Sequence, residues 1–575
     1  MISFFKNFTK IKNLTKGYYF SFFILLIFSL LNVFIEMLSI GIIIPLIEII
    51  LKSQNNSFQL NYFENILDFK QIETKSILVF SSLFILLLFI FKSFFLIFFG
   101  YYQSNLIYRV NLQLSNNLMN SYLKQNYIFF ITKQSSEILR NITSEISVSM
   151  SYINAALNLF IETIIVIGIF FILLYFQTQI TLIIFLIILI FLFFYIFFLQ
   201  TKISSWGKIR QKSELKTIDI VQQGFGGIIE ITILNCQKYF LNIFYNYNKQ
   251  NLITGRNMNI ISVLPRSLLE LLAIIIITII IFLNIFLYDM NNLLTSLPLF
   301  AVAFFRILPS ANKIINTYQT LKFSHPSINL IDKEMQILKK NIIHKNFAHD
   351  NKTLSFNSNI NLNDISFGFN DKKIIKDLNL KINKHEFVGI YGESGSGKTT
   401  FLNIFLGLIS PKQGSIKVDN VNIEKNLIKW RNNISYTSQN FFIAPVTIKQ
   451  NIAFGIEEDK IDSFQLDYAI KNSELQNLID ELPSGINTIV EEGGVNLSGG
   501  QRQRLAIARS LYFDRKIIVM DEATSSLDKT TEFKIYKNLK KLKNKTILVV
   551  THNLEIKKFC DRVLNINNGN ISQEI

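Results

Sequence analysis

The residue types that can do chemistry concentrate in the last third of the chain. Gly392-Glu393-Ser394-Gly395-Ser396-Gly397-Lys398-Thr399-Thr400 fits the spacing GxxxxGK[ST] and follows the apolar run Phe387–Tyr391. Glycines at these positions let backbone N–H groups turn inward around phosphate oxygens, and a helix starting near Lys398 adds the positive end of its dipole. Lys398 suits the terminal phosphates and the Thr399 hydroxyl suits Mg2+. A second feature is Ile517-Ile518-Val519-Met520 running into Asp521-Glu522. Four apolar residues predict a buried strand that ends in two carboxylates beside the phosphate loop. Asp521 can hold Mg2+ through water, and Glu522 can polarise an attacking water as general base.

The third feature is Leu497-Ser498-Gly499-Gly500-Gln501, followed by Arg502-Gln503-Arg504. With it the chain resembles the ATP-binding cassette (ABC) superfamily, whose signature this pentapeptide is. The preceding Glu491-Glu492-Gly493-Gly494 is similar to exporter-type cassettes. The resemblance implies ATP and Mg2+ as cofactors and roles for further positions that match in order. Gln439, in Tyr436-Thr437-Ser438-Gln439, matches the glutamine that touches Mg2+ and faces the membrane half. Asp528, in Ser526-Leu527-Asp528, matches the loop that crosses between cassettes, and His552 matches the switch histidine on the γ-phosphate. Phe369 stands where the family usually has a tyrosine stacked on adenine; stacking needs a π-face rather than a hydroxyl. In ABC proteins the phosphate loop of one cassette faces the signature of another. The Ser498 hydroxyl, the Gly500 N–H and the signature helix would therefore act on ATP held by a second chain. One chain carries one set of motifs, and with Glu522 and His552 both present the resemblance implies a homodimer with two competent sites.

The elements that must carry these residues divide the chain in two. Of 575 residues, 50% are hydrophobic and only 17% charged, against roughly 25% in a typical soluble chain. That excludes a disordered chain and disfavours a fully soluble enzyme. Crossing the hydrocarbon takes about 20 apolar residues, and six stretches qualify: 20–47, 76–103, 157–176, 180–200, 265–288 and 297–323. Residues 1–17, 104–156 and 201–262 hold four, four and eight Lys/Arg, whereas 51–75, 177–180 and 289–296 hold three in total. The positive-inside rule then places both termini and the two long loops in the cytoplasm. It also explains the formal charge of +17 without nucleic acid. The two long loops look helical, so the spans should continue beyond the bilayer. The expected order is an all-α six-helix transmembrane domain at 1–323, a polar linker at 324–358, and an α/β phosphate-loop ATPase domain at 359–575. Cys236 and Cys560 are too far apart in sequence to form a disulfide framework or a metal pattern. The first apolar stretch is too long for a cleavable signal.

The cargo is not written in the cassette motifs. Lys92, Arg266 and Arg306 are cations in or near spans, where a charge is expensive unless paired or functional. Glu270 lies one helical turn after Arg266 and could neutralise it; Lys92 and Arg306 have no acid within a turn. The functional reading is a basic lining for an anionic head group. Leu264-Pro265-Arg266-Ser267-Leu268-Leu269-Glu270, Ala303-Phe304-Phe305-Arg306-Ile307-Leu308-Pro309-Ser310-Ala311-Asn312 and, in the first span, Phe34-Ile35-Glu36-Met37-Leu38-Ser39-Ile40-Gly41 are similar to motifs of bacterial lipid-linked oligosaccharide flippases. That resemblance implies a polyprenyl-pyrophosphate-linked oligosaccharide as substrate and the bacterial inner membrane as location, with Lys92 in place of a family arginine. Exporters of lipid A, a peptide or a drug, and a non-transporting ABC channel or regulator, are the alternatives. Tyr62, Phe63, Ile66 and Leu67 fall on one helical face and could form an interfacial helix. Gly224, Gly226 and Gly227 punctuate the second long loop and predict a turn there. In the resembled exporters short helices at the loop tips dock on the cassette; here they are expected near Gln125–Gln134 and Leu215–Phe225.

Overall fold

The structure is a computed structural model that describes residues 9–53, 74–176, 178–287, 290–340, 352–369, 372–393, 395–567 and 569–574. The stretch with Tyr62, Phe63, Ile66 and Leu67 lies outside the described residues. The chain divides into two compact units, one made of Met1–Gln125 and Phe130–Ile343, the other of Asn126–Phe129 and His344–Ile575.

The first unit is helical. Six long helices are described: α1 (Tyr19–Ser53), α2 (Thr74–Leu123), α5 (Ile146–Phe176), α6 (Thr178–Gly226), α8 (Gln237–Leu287) and α9 (Met290–Lys340). Short helices α3 (Tyr127–Thr132), α4 (Ser135–Arg140) and α7 (Ile228–Ile233) lie between them. Among the described residues five helices are long and apolar enough to cross a membrane. Helices α2, α6, α8 and α9 run 49 to 51 residues. At 1.5 Å per residue that is about 75 Å, far more than the roughly 30 Å of hydrocarbon. Phe80, Phe94, Ile97, Phe193 and Phe198 are exposed, as lipid-facing side chains are, while Ile153, Ile165, Ile169 and Ile315 are buried. Helices α6 and α9 approach closely at Gly207, where an added Cβ would sit 2.3 Å from the Phe323 carbonyl oxygen.

A buried polar network ties the ends of these helices together. The chain passes from α4 to α5 through a π-helical turn, Asn141–Glu145. Glu145, fully buried, accepts from Arg210 of α6 at 3.0 Å and from Gln211 at 3.2 Å. Arg210 also donates to Ser327 of α9 at 2.8 Å and pairs with Glu214 at 2.6 Å. Asn141 donates to the Tyr122 hydroxyl at 3.0 Å, which donates to Glu334 of α9 at 2.9 Å. Buried charges are tolerated when each is paired and hydrogen-bonded.

Two elements differ from expectation. The first seventeen residues of the expected linker, 324–340, belong to α9. Ile328, Ile331, Met335 and Leu338 recur at three- and four-residue spacing and are buried, so an apolar stripe lies beneath a polar composition. The second loop-tip helix is α7, not Leu215–Phe225, which stays inside α6; the break comes at Gly227. The first, α3, falls within Gln125–Gln134.

The second unit is α/β. Strands β3 (Phe387–Tyr391), β6 (Ile434–Thr437), β7 (Ile517–Asp521), β8 (Thr546–Val550), β9 (Arg562–Asn567) and β10 (Asn570–Glu574) form one sheet in the order β10-β9-β3-β8-β7-β6. All its pairings are parallel except β9–β10. Strands β7 and β8 are buried throughout, as central parallel strands covered on both faces must be. A four-stranded antiparallel sheet, ordered β2-β1-β4-β5, contains β1 (Asn359–Phe369), β2 (Lys372–Asn383), β4 (Gln413–Val418) and β5 (Val421–Asn422).

Candidate functional site: a nucleotide cradle at the strand ends

The phosphate loop leaves the C-terminal end of β3 and enters α10 (Lys398–Phe405). Gly392 must be glycine, because a Cβ would meet the Ile566 carbonyl at 2.3 Å. Gly397 caps α10 with φ +106°, a left-handed backbone that glycine adopts without strain. Lys398 is buried and its Nζ donates to the Gly392 and Glu393 carbonyls at 2.7 and 2.9 Å, inside the cradle. Burial lowers its pKa, an effect that Glu522 and Asp521 oppose. The Ser396 hydroxyl is buried and has no hydrogen-bond partner among the described residues. A phosphate fits this arrangement: it would accept from the orphaned hydroxyl and replace the carbonyls at Lys398. Thr399 is exposed and Thr400 half-buried, and Ser394 lies outside the described residues.

The two carboxylates at the end of β7 behave differently. Asp521 is 4% exposed, and burial, then the neighbouring Glu522 charge, raises its pKa to about 6; Lys398 and a hydrogen bond with Tyr436 pull the other way. A carboxyl so pushed towards neutrality fits a site meant for a divalent cation, whose charge would hold it ionised. Thr399, Gln439 and Asp521 would hold Mg2+, and the ion would supply charge neutralisation at the phosphates. Glu522 has φ +49°, an uncommon backbone for a bulky residue. Its carboxylate oxygens are both engaged, one with His552 Nε2 at 2.5 Å and the other accepting from Gln439 Nε2 at 2.6 Å. Four of the residues singled out from sequence, Gln439, Asp521, Glu522 and His552, thus come together around one carboxylate pair. His552 touches Glu522.

The signature residues form a helix start. Ser498 is the N-cap of α11 (Gly499–Tyr512), accepting from the Gln501 N–H at 3.3 Å, while Gln501 Oε1 accepts from the Ser498 N–H at 2.8 Å. This capping box holds Gly499 and Gly500 in the first turn. Asp528 caps α12 (Lys529–Lys540), accepting from the Thr531 N–H at 3.0 Å and from Thr530. The Thr530 hydroxyl, then Thr531, holds its carboxyl well below the usual range. Sequence reasoning passed over Gln503, which is buried, donates to Ser525 at 2.9 Å and accepts from the Ser526 N–H at 2.8 Å. It joins the signature helix to the loop before Asp528. Its signal is a large polar residue on the mostly apolar buried face of α11. Tyr436, whose sequence signal is its place in the run to Gln439, hydrogen-bonds Asp521. The Phe369 side chain lies outside the described residues.

In the membrane half the three cations fare differently. Lys92 is not without an acid: it pairs with Glu36 of α1 at 2.8 Å and donates to Ser39 at 3.0 Å. The neutralising partner comes from another helix, which spacing along α2 cannot reveal. Arg266 pairs with Glu270 at 3.0 Å, yet 76% of its side chain stays exposed. The Arg306 side chain lies outside the described residues, as part of α9.

A family model described as ABC transporter matches residues 375–525, and one described as ABC transporter transmembrane region matches 22–310. The chain is 29% identical over 549 residues to an ATP-dependent lipid A-core flippase of Wigglesworthia glossinidia brevipalpis, covering 92% of this chain and 91% of that one. It is 28% identical to the ATP-dependent lipid A-core flippase 2 of Colwellia psychrerythraea over 495 residues, 83% of this chain and 80% of that one. A bacterial Atm1-family ABC exporter solved with ATP bound superposes with a TM-score of 0.79 at 16% identity, covering 95% and 94% of the two chains, which establishes the shared fold. The chain belongs to the ABC transporters, as an exporter-type half-transporter of a bacterial membrane in which an ATP-binding, ATP-hydrolysing unit is coupled to transport.

Proposed function

We propose that two copies of this chain form a flippase in the bacterial inner membrane, with both termini cytoplasmic. It moves a polyprenyl-pyrophosphate-linked oligosaccharide from the cytoplasmic to the outer leaflet. The observation that carries the cargo assignment is Arg266. A guanidinium in an apolar membrane helix is costly unless it meets an anion or a water-filled path; Glu270 takes its Nε at 3.0 Å, and the 76% of the side chain left exposed presents the rest of the fork to a second anion. Its planar fork suits a pyrophosphate, which it can bind bidentately. Arg306 is the second candidate. Lys92 joins them only where Glu36 gives way, so the lining is less basic than its three cations suggest.

In each cassette Lys398, the phosphate-loop N–H groups and Thr399 take the phosphates and Mg2+, and Ser498 and Gly500 of the partner subunit close the pocket. Glu522 activates water once released from His552 and Gln439, which restrain it here. A second reading, a lipid A-core cargo, is favoured by the two near-full-length relatives named for that activity. Proteoliposomes holding each lipid decide between them. ATP-dependent movement of the polyprenyl-pyrophosphate lipid, lost in Arg266→Ala, supports the proposal. Movement of lipid A-core alone supports the second reading, and movement of neither overturns both.

A further inference from the structure

Pro265 stands inside α8. Having no N–H, it leaves the Ile261 carbonyl, four residues earlier, without its helical donor. A proline is tolerated in a membrane helix when neighbouring groups satisfy the freed carbonyl. Here two neighbouring helices do so. Tyr195 of α6 donates its hydroxyl to the Ile261 oxygen at 3.2 Å, and Gln319 of α9 donates its Nε2 to the same oxygen at 3.2 Å. Gln319 also donates to the Tyr195 hydroxyl at 2.9 Å, which closes a three-membered ring of hydrogen bonds. Gln319 is 1% exposed, so water does not compete for these bonds.

The surroundings reinforce the joint. Tyr318 donates to Gln200 at 3.3 Å, a second tie from α9 to α6. Leu269, Ala311 and Ile315 pack with Leu192, Tyr195 and Leu308, so the same three helices share an apolar cluster beside the polar ring. The local course of α8 is therefore set by α6 and α9 together, at the point where α8 presents Arg266, the residue next to the proline.

We propose that Tyr195 and Gln319 are positioning residues that pin the proline-weakened turn of α8 and thereby fix how Arg266 meets the anionic head group of the cargo. The head group rests on the flippase reading above; the pin does not. The pair acts through a backbone oxygen and touches neither cargo nor nucleotide. Its effect should show in the response to lipid and leave lipid-free ATP hydrolysis unchanged.

The test uses the full-length protein in nanodiscs, as wild type, Tyr195→Phe, Gln319→Leu, Pro265→Ala and the double variant Pro265→Ala/Tyr195→Phe. Pro265→Ala restores the N–H that the Ile261 oxygen lacks, so it makes the pin redundant. Amide hydrogen exchange around residues 261–266 should quicken about tenfold in Tyr195→Phe and in Gln319→Leu, the size of one lost buried hydrogen bond. It should not quicken in the double variant relative to Pro265→Ala. The polyprenyl-pyrophosphate lipid concentration that half-stimulates ATPase should rise several-fold in the two single variants, with the nucleotide KM unmoved. Unchanged exchange, equal quickening on the alanine background, or unaltered lipid response would each overturn the proposal. Wild-type protein whose ATPase ignores the lipid overturns the flippase reading, whereas the exchange data still decide the pin.

Discussion

Asp521→Asn should make the nucleotide-free protein more stable at neutral pH, and the gain should fade as pH falls. The carboxyl is 4% exposed, and its pKa moves from 3.8 to about 6 through burial and then the Glu522 charge. Below pH 3.8 the group is protonated both folded and unfolded, and it contributes nothing. Between about 4 and 6 the folded chain holds the proton more tightly. Above about 6 it is ionised in both states, and folding bears the full cost of a buried charge. A gap of about two pH units at 1.36 kcal/mol each makes that cost at most about 3 kcal/mol at pH 7.5, and roughly half that at pH 5. Asparagine keeps an acceptor for Tyr436 and loses the charge. For a unit of this size about 3 kcal/mol corresponds to roughly 6–12 °C in melting temperature. Thermal melts of wild type and Asp521→Asn in EDTA, from pH 5 to pH 8, read this directly. Adding Mg2+ and ATP should stabilise the wild type and leave Asp521→Asn behind. No gain at pH 7.5, or an equal gain at pH 5, would refute the reasoning.

Two further outcomes follow from the geometry. Glu522→Gln should lower the ATPase kcat by about 10²–10⁴, the usual worth of a general base, with ATP affinity preserved in equilibrium binding, because Lys398 and the phosphate loop are untouched. Arg210→Ala should destabilise the helical unit by about 3 kcal/mol, since it leaves the buried Glu145 charge without its closest cation. Size-exclusion melting curves of the detergent-solubilised protein would show the loss, and adding Glu145→Gln should recover much of it.

The phosphate loop, the two carboxylates and the signature were legible because their chemistry is local. Gly392 and Gly397 are required by backbone approach and by φ, and such needs are met by residue type at fixed spacing. The long apolar helices were legible for a similar reason: about 20 apolar residues suffice wherever they occur. Where the reading went astray, composition hid periodicity. The polar stretch 324–340 carries a buried apolar stripe and prolongs α9; Leu215–Phe225 stays inside α6, whereas the turn that the glycines at 224, 226 and 227 predict does fall at Gly227.

Sequence alone determined that this chain binds nucleotide phosphates and crosses a membrane, because both properties are written in contiguous residues. Only the tertiary structure decided which charges are neutralised and which backbone groups are satisfied. Lys92 meets Glu36, and the Ile261 oxygen meets Tyr195 and Gln319. Each partner lies more than fifty residues away along the chain. Such pairings depend on which helices pack together, and no local pattern of residues records that.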